Sequence, residues 1–254
     1  MNRGSRISLL ASRMCALLIL LVAWHVIATA LGRPILPAPS VVLATLAREL
    51  VGPLGRHVGV SLLRVGASIG LAMATAAPLG IILGQSRRLG NAFAPFIYLL
   101  HPIPKVVLVP VVLLILGVGD LPKVVIITMI LFFQILVLVR DAASGIRSEL
   151  VMSVRSLGAG RRALFRFVYW PATLPAILTA VRQSIGTALA VLYIAEIFAT
   201  RYGLGYYIYL QGSTLFDYPR MYAGVVAMSC LGFGLYVAVD WAERRLCPWV
   251  AADV

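Results

Sequence analysis

Charge is the scarcest property of this 254-residue chain, since 12% of its residues are charged, against about 25% in a soluble domain. Its hydrophobic fraction is 61%, well above the roughly 45–50% of soluble proteins. This balance excludes a soluble globular domain and a disordered chain, and it predicts a polytopic membrane protein. Cysteine is also rare, and Cys15, Cys230 and Cys247 have neither the pairing of a disulfide framework nor the spacing of a metal site.

Catalytic and nucleotide-binding patterns are missing as well. The histidines, His25, His57 and His101, have no H-E-x-x-H or other ligand spacing, and no G-x-S-x-G sequence occurs. Both lysines, Lys105 and Lys123, stand between a proline and a valine, whereas a phosphate-binding loop needs the sequence G-K-[ST]. We therefore expect no catalytic residue, no metal site and no cofactor in this chain. Any dependence on ATP and Mg²⁺ must come from a partner.

Long apolar runs predict an all-α protein with six transmembrane helices, because about 20 apolar residues in a helix cross a bilayer. The predicted spans are about 14–31, 62–83, 93–116, 123–139, 177–199 and 222–239. The first run also has the composition of a cleavable signal peptide, but its length and the spans that follow favour an uncleaved helix. No second domain is visible, so residues 1–254 are predicted to form one transmembrane domain.

Basic residues collect on one side of these spans. With the N-terminus inside, the cytoplasmic segments hold 13 arginines and the outer loops hold six basic residues. Because short cytoplasmic loops carry the excess of positive charge, both termini are predicted to be cytoplasmic. This topology explains the net charge of +13 better than nucleic-acid binding does. The apolar spacing over Pro39–Val51 predicts a short interfacial helix on the outer side.

The polar loop 140–175 contains the clearest functional pattern. Ser148–Leu157 has helical composition with apolar residues on one face, and Arg161–Val168 has the same spacing. Between them, Gly158-Ala159-Gly160 permits a tight reversal of the chain. We expect two short helices in the cytoplasm, the second of them ended by two prolines before the fifth span. On the residues alone, a basic loop that contacts anionic lipid headgroups is an equal alternative.

The sequence Val154–Ala159, followed by Val168–Pro175, resembles the "EAA" loop of the permeases of binding-protein-dependent ABC importers. That pattern reads E-A-A-x-x-x-G and, after a spacer, I-x-L-P. Further similarity, to the nitrate, sulfonate and taurine branch, lies in Ile103–Pro110, Leu116–Asp120, Ala195-Glu196, Gly203–Tyr206 and Leu231-Gly232. The resemblance runs from about Pro37 to Trp249, which is nearly the whole chain.

This resemblance implies the membrane-spanning permease subunit of an ATP-driven importer in the bacterial inner membrane, with the type I importer fold. Such a subunit forms the path for a small solute, here nitrate, a sulfonate or taurine by the branch. The implied partners are a second permease copy, two cytoplasmic ATPase subunits and an extracytoplasmic substrate-binding protein. The chain lies in a lipid bilayer, and nucleic acid is not implied.

In that family the loop is a coupling helix that docks on the ATPase. The residues that take this role by resemblance are Met152, Ser153, Arg155, Leu157, Gly158, Ala159, Leu164, Phe165 and Pro175. One departure is that the E-A-A triplet reads Met152-Ser153-Val154, so the acidic residue is absent. Docking is then left to the apolar face, Arg155 and the Gly158 turn.

Ionisable residues inside a membrane are costly and mark candidate functional sites. Lys105 lies in the middle of the third predicted span, where three nearby prolines argue against an unbroken helix. We predict Lys105, with His101 and Glu196, along the translocation path. The alternative for Lys105 is a structural pairing or a shallower position. For Glu196 the alternative is a structural bond to a backbone group or an arginine.

Two other functions remain open from the sequence. An ATP-independent secondary transporter or channel is the alternative, and it predicts repeats of hydropathy and ionisable residues at mid-depth. We find no convincing repeat, and Lys105 is the one charge at mid-depth. An integral-membrane enzyme is a third function, and the missing catalytic patterns argue against it.

Overall fold

The computed structural model describes residues 3–198 and 200–249, without the side chains of residues 3–10 and 13. Ala199, the predicted end of the fifth span, lies outside these ranges. Every regular element of the described ranges is helical, which confirms the predicted all-α class. The α-helices are α1 (Arg3–Leu31), α2 (Pro39–Val51), α3 (Pro53–Gln85), α4 (Arg87–Leu100), α5 (Val109–Leu116), α6 (Leu121–Ser144), α7 (Ser148–Ser156), α8 (Arg161–Leu164), α9 (Trp170–Ile197), α10 (Leu204–Tyr209) and α11 (Tyr218–Leu246).

Five helical segments of the described chain are long and apolar enough to cross a membrane: Met14–Leu31, Pro53–Gln85, Leu121–Ser144, Arg161–Ile197 and Tyr218–Leu246. A sixth span exists if α4 and the segment Lys105–Leu116 are counted together. These two pieces meet at an angle of 75°, so the third predicted span is broken. Proline explains the break, since Pro102 and Pro104 lack a backbone N–H and disfavour helical geometry in the residue before them.

The expectation that the second cytoplasmic helix ends before the fifth span is wrong. α8 continues through a π-helical turn, Phe165–Tyr169, directly into α9, and the helix is unbroken from Arg161 to Ile197. In the π turn the N–H of Trp170 donates to the carbonyl of Phe165, so the hydrogen-bond register changes immediately before Pro171. The missing donor of Pro171 therefore falls where the helical ladder is already shifted, and the helix passes through it.

The core lies between α3, α6 and α9, and glycine brings the first two helices together. A Cβ atom on Gly84 would lie 2.4 Å from the carbonyl oxygen of Arg140, and one on Gly80 would lie 2.9 Å from the Cβ of Val139. Small residues thus allow a close approach of two membrane helices. Gly66, earlier in α3, has no described atom within 4 Å of such a Cβ.

The short helix predicted over Pro39–Val51 forms with the same bounds as α2 and packs against α11. Its Glu49 accepts a hydrogen bond from Arg220 Nε at 3.1 Å. The hydroxyl of Tyr207 donates to the other Glu49 oxygen at 3.4 Å. Burial, together with the neighbouring Glu49 carboxylate, raises the pKa of the Tyr207 phenol, so it remains protonated and available as a donor.

Candidate coupling hairpin and transport path

The loop between α6 and α9 forms a hairpin of α7 and the start of the long α8–α9 helix, which we call the Gly158 hairpin (148–169). The chain reverses at Gly158, whose φ of +84° is in the left-handed region that favours glycine. The N–H of Gly158 donates to the carbonyl of Arg155 at 2.9 Å and closes the end of α7. Gly160 precedes α8 with an extended backbone and a φ of −76°, so only the first of these two glycines has a conformational requirement.

The α7 arm of the hairpin presents apolar side chains at the surface, because none of its residues is buried. Met152 is 59% exposed and Leu157 at the turn is 86% exposed, while Ser153 and Arg155 are also exposed. Ala159 is half-buried. The exposed side chains of this arm are therefore available to a partner.

The second arm differs from the prediction. Leu164 is 2% exposed and Phe165 is half-buried, because the second arm is the first part of the long helix and its apolar face packs on the bundle. Leu164 therefore supports the base of the hairpin and is not available to a partner. Pro175 lies well inside α9, far along the helix from the turn, and does not end a helix as predicted.

The hairpin is strongly basic. It carries a single acidic side chain, Glu149, against exposed arginines at positions 155, 161, 162 and 166, with Arg147 immediately before α7. Such a surface attracts an acidic partner surface or anionic headgroups over about a Debye length.

Within the bundle, Lys105 and His101 line the same cavity of about 280 Å³ at the break in the third span, which we call the Lys105 cavity. Its wall comes from the break itself, from α6 and from α9, and contains Ile103, Pro104, Val106, Ile130, Phe133, Gln134, Thr187 and Val191. Two of the three predicted path residues are thus brought together at the break in the helix.

The Lys105 ammonium is held by the broken helix. Its Nζ donates to the carbonyl oxygens of Leu100 at 2.8 Å, His101 at 3.0 Å and Ile103 at 3.3 Å. It also lies 4.4 Å from the ring centre of Phe133. An ammonium group has three N–H donors, so these carbonyls occupy all of them. Lys105 therefore replaces the backbone donors that the prolines remove and stabilises the end of α4.

Glu196, the third predicted path residue, is elsewhere. Its side chain is completely enclosed and does not line the Lys105 cavity. Arg64 Nη1 donates to Glu196 Oε1 at 2.7 Å, and the Ser61 hydroxyl lies 2.8 Å from the same oxygen. The N–H of Gly205 donates to Oε2 at 2.8 Å. The structural alternative for Glu196, a bond to a backbone group and an arginine, is the one that this geometry supports.

This buried cluster explains the glycines of the sequence Gly203-Leu204-Gly205. Gly203 has a φ of +133°, and a Cβ atom there would lie 2.3 Å from the carboxyl carbon of Glu196. A Cβ atom on Gly205 would lie 2.6 Å from the carbonyl oxygen of Tyr193. The N–H of Leu204 donates to Ser61 Oγ at 2.8 Å, and one hydrogen bond joins His57 Nδ1 to the backbone of Gly203. The loop before α10 is therefore fixed on α3 and α9 by its backbone.

Sequence reasoning missed two charged residues of this region. Arg64 stands among apolar residues of the second predicted span and is 5% exposed. It also donates from Nε to Asp120 at 2.8 Å, which joins α3 to the turn before α6. Lys123, the first residue of the fourth predicted span, is 1% exposed and donates to the carbonyl of Gly119 at 2.7 Å. A lone arginine inside an apolar run was the signal for the first of them.

The fold and these sites define a polytopic, all-helical membrane protein with a broken span, a solute-sized cavity and an exposed hairpin. The family of binding-protein-dependent transport system inner membrane components matches residues 76–249. This range contains the Gly158 hairpin, the Lys105 cavity and Glu196. The chain belongs to this family, as the sequence resemblance predicted.

Full-length relatives agree with this assignment. The taurine transport system permease protein TauC of Escherichia coli (strain K12) is 29% identical over 242 residues, 92% of this chain and 87% of TauC. The riboflavin transport system permease protein RibX of Chloroflexus aurantiacus is 32% identical over 239 residues, 93% of this chain and 89% of RibX. A structure of the inward-facing MetNI methionine ABC transporter has the same fold, with a TM-score of 0.67, 20% identity and coverage of 78% of this chain and 97% of that chain.

The chain is thus a multi-pass inner-membrane permease subunit with the type I ABC importer fold. It is a transport subunit and not an enzyme, and ATP hydrolysis belongs to a partner subunit. The similarity to TauC supports the nitrate, sulfonate and taurine branch.

Proposed function

We propose that this permease provides the path for a small solute. We propose also that the Gly158 hairpin couples it to ATP binding in a partner subunit. The observation that carries the proposal is the exposure of apolar side chains on α7 and at the turn that follows it. Leu150, Met152 and Leu157 are 48%, 59% and 86% exposed. Burial of one such side chain is worth about 1.5–3 kcal/mol, so this arm gains stability when a partner covers it.

The partner that fits this surface is a cytoplasmic ATPase with an acidic groove for the basic hairpin. ATP and Mg²⁺ are held in that partner. Two such subunits and a second permease copy complete the proposed assembly, with both termini of this chain in the cytoplasm. The family description supports an extracytoplasmic substrate-binding protein as the source of the solute.

We place the path at the Lys105 cavity, which lies between the broken span, α6 and α9. Its volume of about 280 Å³ suits a small solute. Taurine is the first solute to test, because TauC is named for it. Glu196 is proposed to stabilise the structure beside the path.

The experiment uses the permease reconstituted in proteoliposomes with its ATPase and binding protein, and measures the uptake of labelled taurine. Gly158→Asp forces an L-residue into the left-handed region at a position where no described atom lies within 4 Å of the new Cβ. We expect the variant to insert in the membrane and to lose ATP-driven uptake. Gly160→Asp is the matched control, because it adds the same charge two residues away, where an aspartate is a favourable N-cap.

Normal uptake by Gly158→Asp would refute the role of the hairpin. The rival function, an ATP-independent secondary transporter, predicts uptake by the permease without the ATPase. The proposal predicts none.

A further inference from the structure

A cleft lies at the base of the Gly158 hairpin and shares no lining residue with the Lys105 cavity. Its volume is about 410 Å³, and its walls come from the end of α3, the start of α4 and both arms of the hairpin. Arg155 of α7 and Arg161 of α8 both line it, so we call it the Arg155–Arg161 cleft. Both side chains are exposed, so their N–H donors are accessible to a ligand.

The cleft carries positive charge without a counter-charge. Among the residues that the structure describes, the guanidinium groups of Arg155 and Arg161 have neither an ion pair nor a hydrogen bond. No lining residue is acidic, and the chain segments that form the walls, 81–90 and 155–169, contain arginines but no aspartate or glutamate. A guanidinium presents its donors in a planar fork that matches the oxygens of a phosphate. The cleft therefore fits an anion of this kind.

The opposite wall of the cleft is apolar and indicates where the anion comes from. Ile82, in the last turn of α3, and Leu89, in the first turn of α4, line the cleft with exposed side chains. The membrane-spanning segment Pro53–Gln85 ends at this point. A phospholipid has a charged headgroup next to an acyl chain, so it can cover both walls at the end of a span. A free anion would leave the apolar wall uncovered.

We infer that the Arg155–Arg161 cleft binds an anionic phospholipid. Its phosphate accepts hydrogen bonds from both arginines, and its acyl chain lies on Ile82 and Leu89. Basic clefts between membrane helices on the cytoplasmic side select anionic headgroups, and the proposed topology of this chain places the cleft on that side. Because the two arginines stand on different arms of the hairpin, a phosphate bonded to both also joins the arms across the turn.

Photo-crosslinking of the full-length permease in nanodiscs tests this site. The nanodiscs contain a small fraction of phosphatidylglycerol or of phosphatidylcholine with the same diazirine on the acyl chain, and mass spectrometry quantifies crosslinks to residues 81–89 and 161–169. We expect phosphatidylglycerol to react there in preference to phosphatidylcholine. Arg155→Gln/Arg161→Gln should reduce this preference about tenfold to thirtyfold, because each arginine near an anionic lipid is worth a factor of about five.

Arg162→Gln/Arg166→Gln is the matched control for charge. It removes two exposed arginines of the same hairpin that do not line the cleft, so the preference should change by less than about twofold at physiological salt. An equal loss in the two double variants would show diffuse attraction to the membrane. An unchanged preference in Arg155→Gln/Arg161→Gln would show that these arginines do not bind the headgroup. Either result would overturn the inference.

Thermal unfolding gives a second measurement that does not depend on crosslinking. A ligand of the folded state raises its unfolding midpoint, so phosphatidylglycerol should stabilise the wild type and Arg162→Gln/Arg166→Gln. It should stabilise Arg155→Gln/Arg161→Gln much less. A rise of equal size in all three proteins would overturn the inference.

Two additions separate a lipid from other occupants of the cleft. Millimolar inorganic phosphate should leave the crosslinking preference intact, and its loss would show a site for a soluble anion. The preference should also persist in the complex with the ATPase, and its loss there would show that an acidic surface of the ATPase fills the cleft. Either loss would overturn the inference. Crosslinking requires neither ATP hydrolysis nor uptake, so its failure is distinguishable from a failure of the proposed function.

Discussion

The guanidinium of Arg64 and the carboxylate of Glu196 lie 2.7 Å apart, from Nη1 to Oε1, with side chains that are 6% and 0% exposed. This ion pair joins α3 to the end of α9 across 132 positions of the sequence. Water does not solvate either charged group when its partner is removed. The stability of each buried charge therefore depends on the other residue.

Removal of one member of this pair should destabilise the protein strongly. Arg64→Met leaves the enclosed Glu196 carboxylate without its counter-charge, and we expect a loss of about 3–5 kcal/mol in the free energy of unfolding. The double variant Arg64→Met/Glu196→Gln should recover part of this loss, because it removes both charges. Chemical unfolding in detergent measures the free energy of unfolding of the single and the double variant. Arg244→Met, in an ion pair whose arginine is 77% exposed, is the control and should cost less than about 1 kcal/mol.

If Arg64→Met were as stable as the Arg244→Met control, the pair would have no structural role. A double variant less stable than Arg64→Met would also contradict the mutual dependence of the two charges.

The contact between α3 and α6 should tolerate no side chain at Gly84. The Cβ of Gly84→Ala would lie against the Arg140 carbonyl and the Ala143 side chain, so we expect a loss of about 1–3 kcal/mol as the helices separate. Gly66→Ala is the same change in the same helix with open space around it, and it should stabilise the helix by up to about 1 kcal/mol. Thermal unfolding of the two variants should therefore shift in opposite directions. Equal shifts would contradict the close approach.

Lys105→Met should lower the stability of the protein, because Lys105 bonds to the backbone and not to the solute. The substitution leaves the carbonyls of Leu100, His101 and Ile103 without their donor, which costs about 1–3 kcal/mol in the free energy of unfolding. Val106→Met changes a neighbouring wall residue without removing a donor, and it should be close to the wild type. If Lys105→Met raised the KM for taurine and left the unfolding midpoint unchanged, Lys105 would instead be a ligand of the solute.

Association of the permease with its ATPase should weaken as salt rises, because the hairpin is basic and exposed. Arg161→Gln/Arg162→Gln removes two charges of the hairpin, and we expect a weaker complex whose affinity depends less on ionic strength. Arg87→Gln/Arg88→Gln removes two adjacent exposed arginines at the start of α4 and is the matched control. Titration of the ATPase at several salt concentrations measures the difference. Identical salt dependence in the two double variants would contradict a docking role of the hairpin.

Local features of this chain were readable from the sequence because local residues determine them. The apolar spacing of Pro39–Val51 predicted α2 with its bounds, and the prolines around Lys105 predicted a break in the third span. The prolines before the fifth span were misread, because the effect of Pro171 depends on the π turn that precedes it. A change of hydrogen-bond register has no signature in composition.

Long-range pairings were not readable, because no pattern within one segment specifies its partner. Glu196 and the sequence Gly203-Leu204-Gly205 were noticed, but the reason for the glycines lies in a carboxylate that fills the space of their side chains. Arg64, the counter-charge, belongs to a segment more than a hundred residues earlier. The sequence thus indicated which residues of this cluster are unusual, and only the packing of α3 against α9 shows what they bond to.

The uninterrupted helix from Arg161 to Ile197 has a mechanical consequence. Its 37 residues measure about 55 Å, and beyond Pro175 it contains no proline and no π turn. One end carries the turn at Gly158, and the other end carries Glu196 with the loop that its carboxylate fixes. Under the proposed function, a tilt of this helix at its Gly158 end displaces its Glu196 end, so one helix links the hairpin to the far side of the bundle.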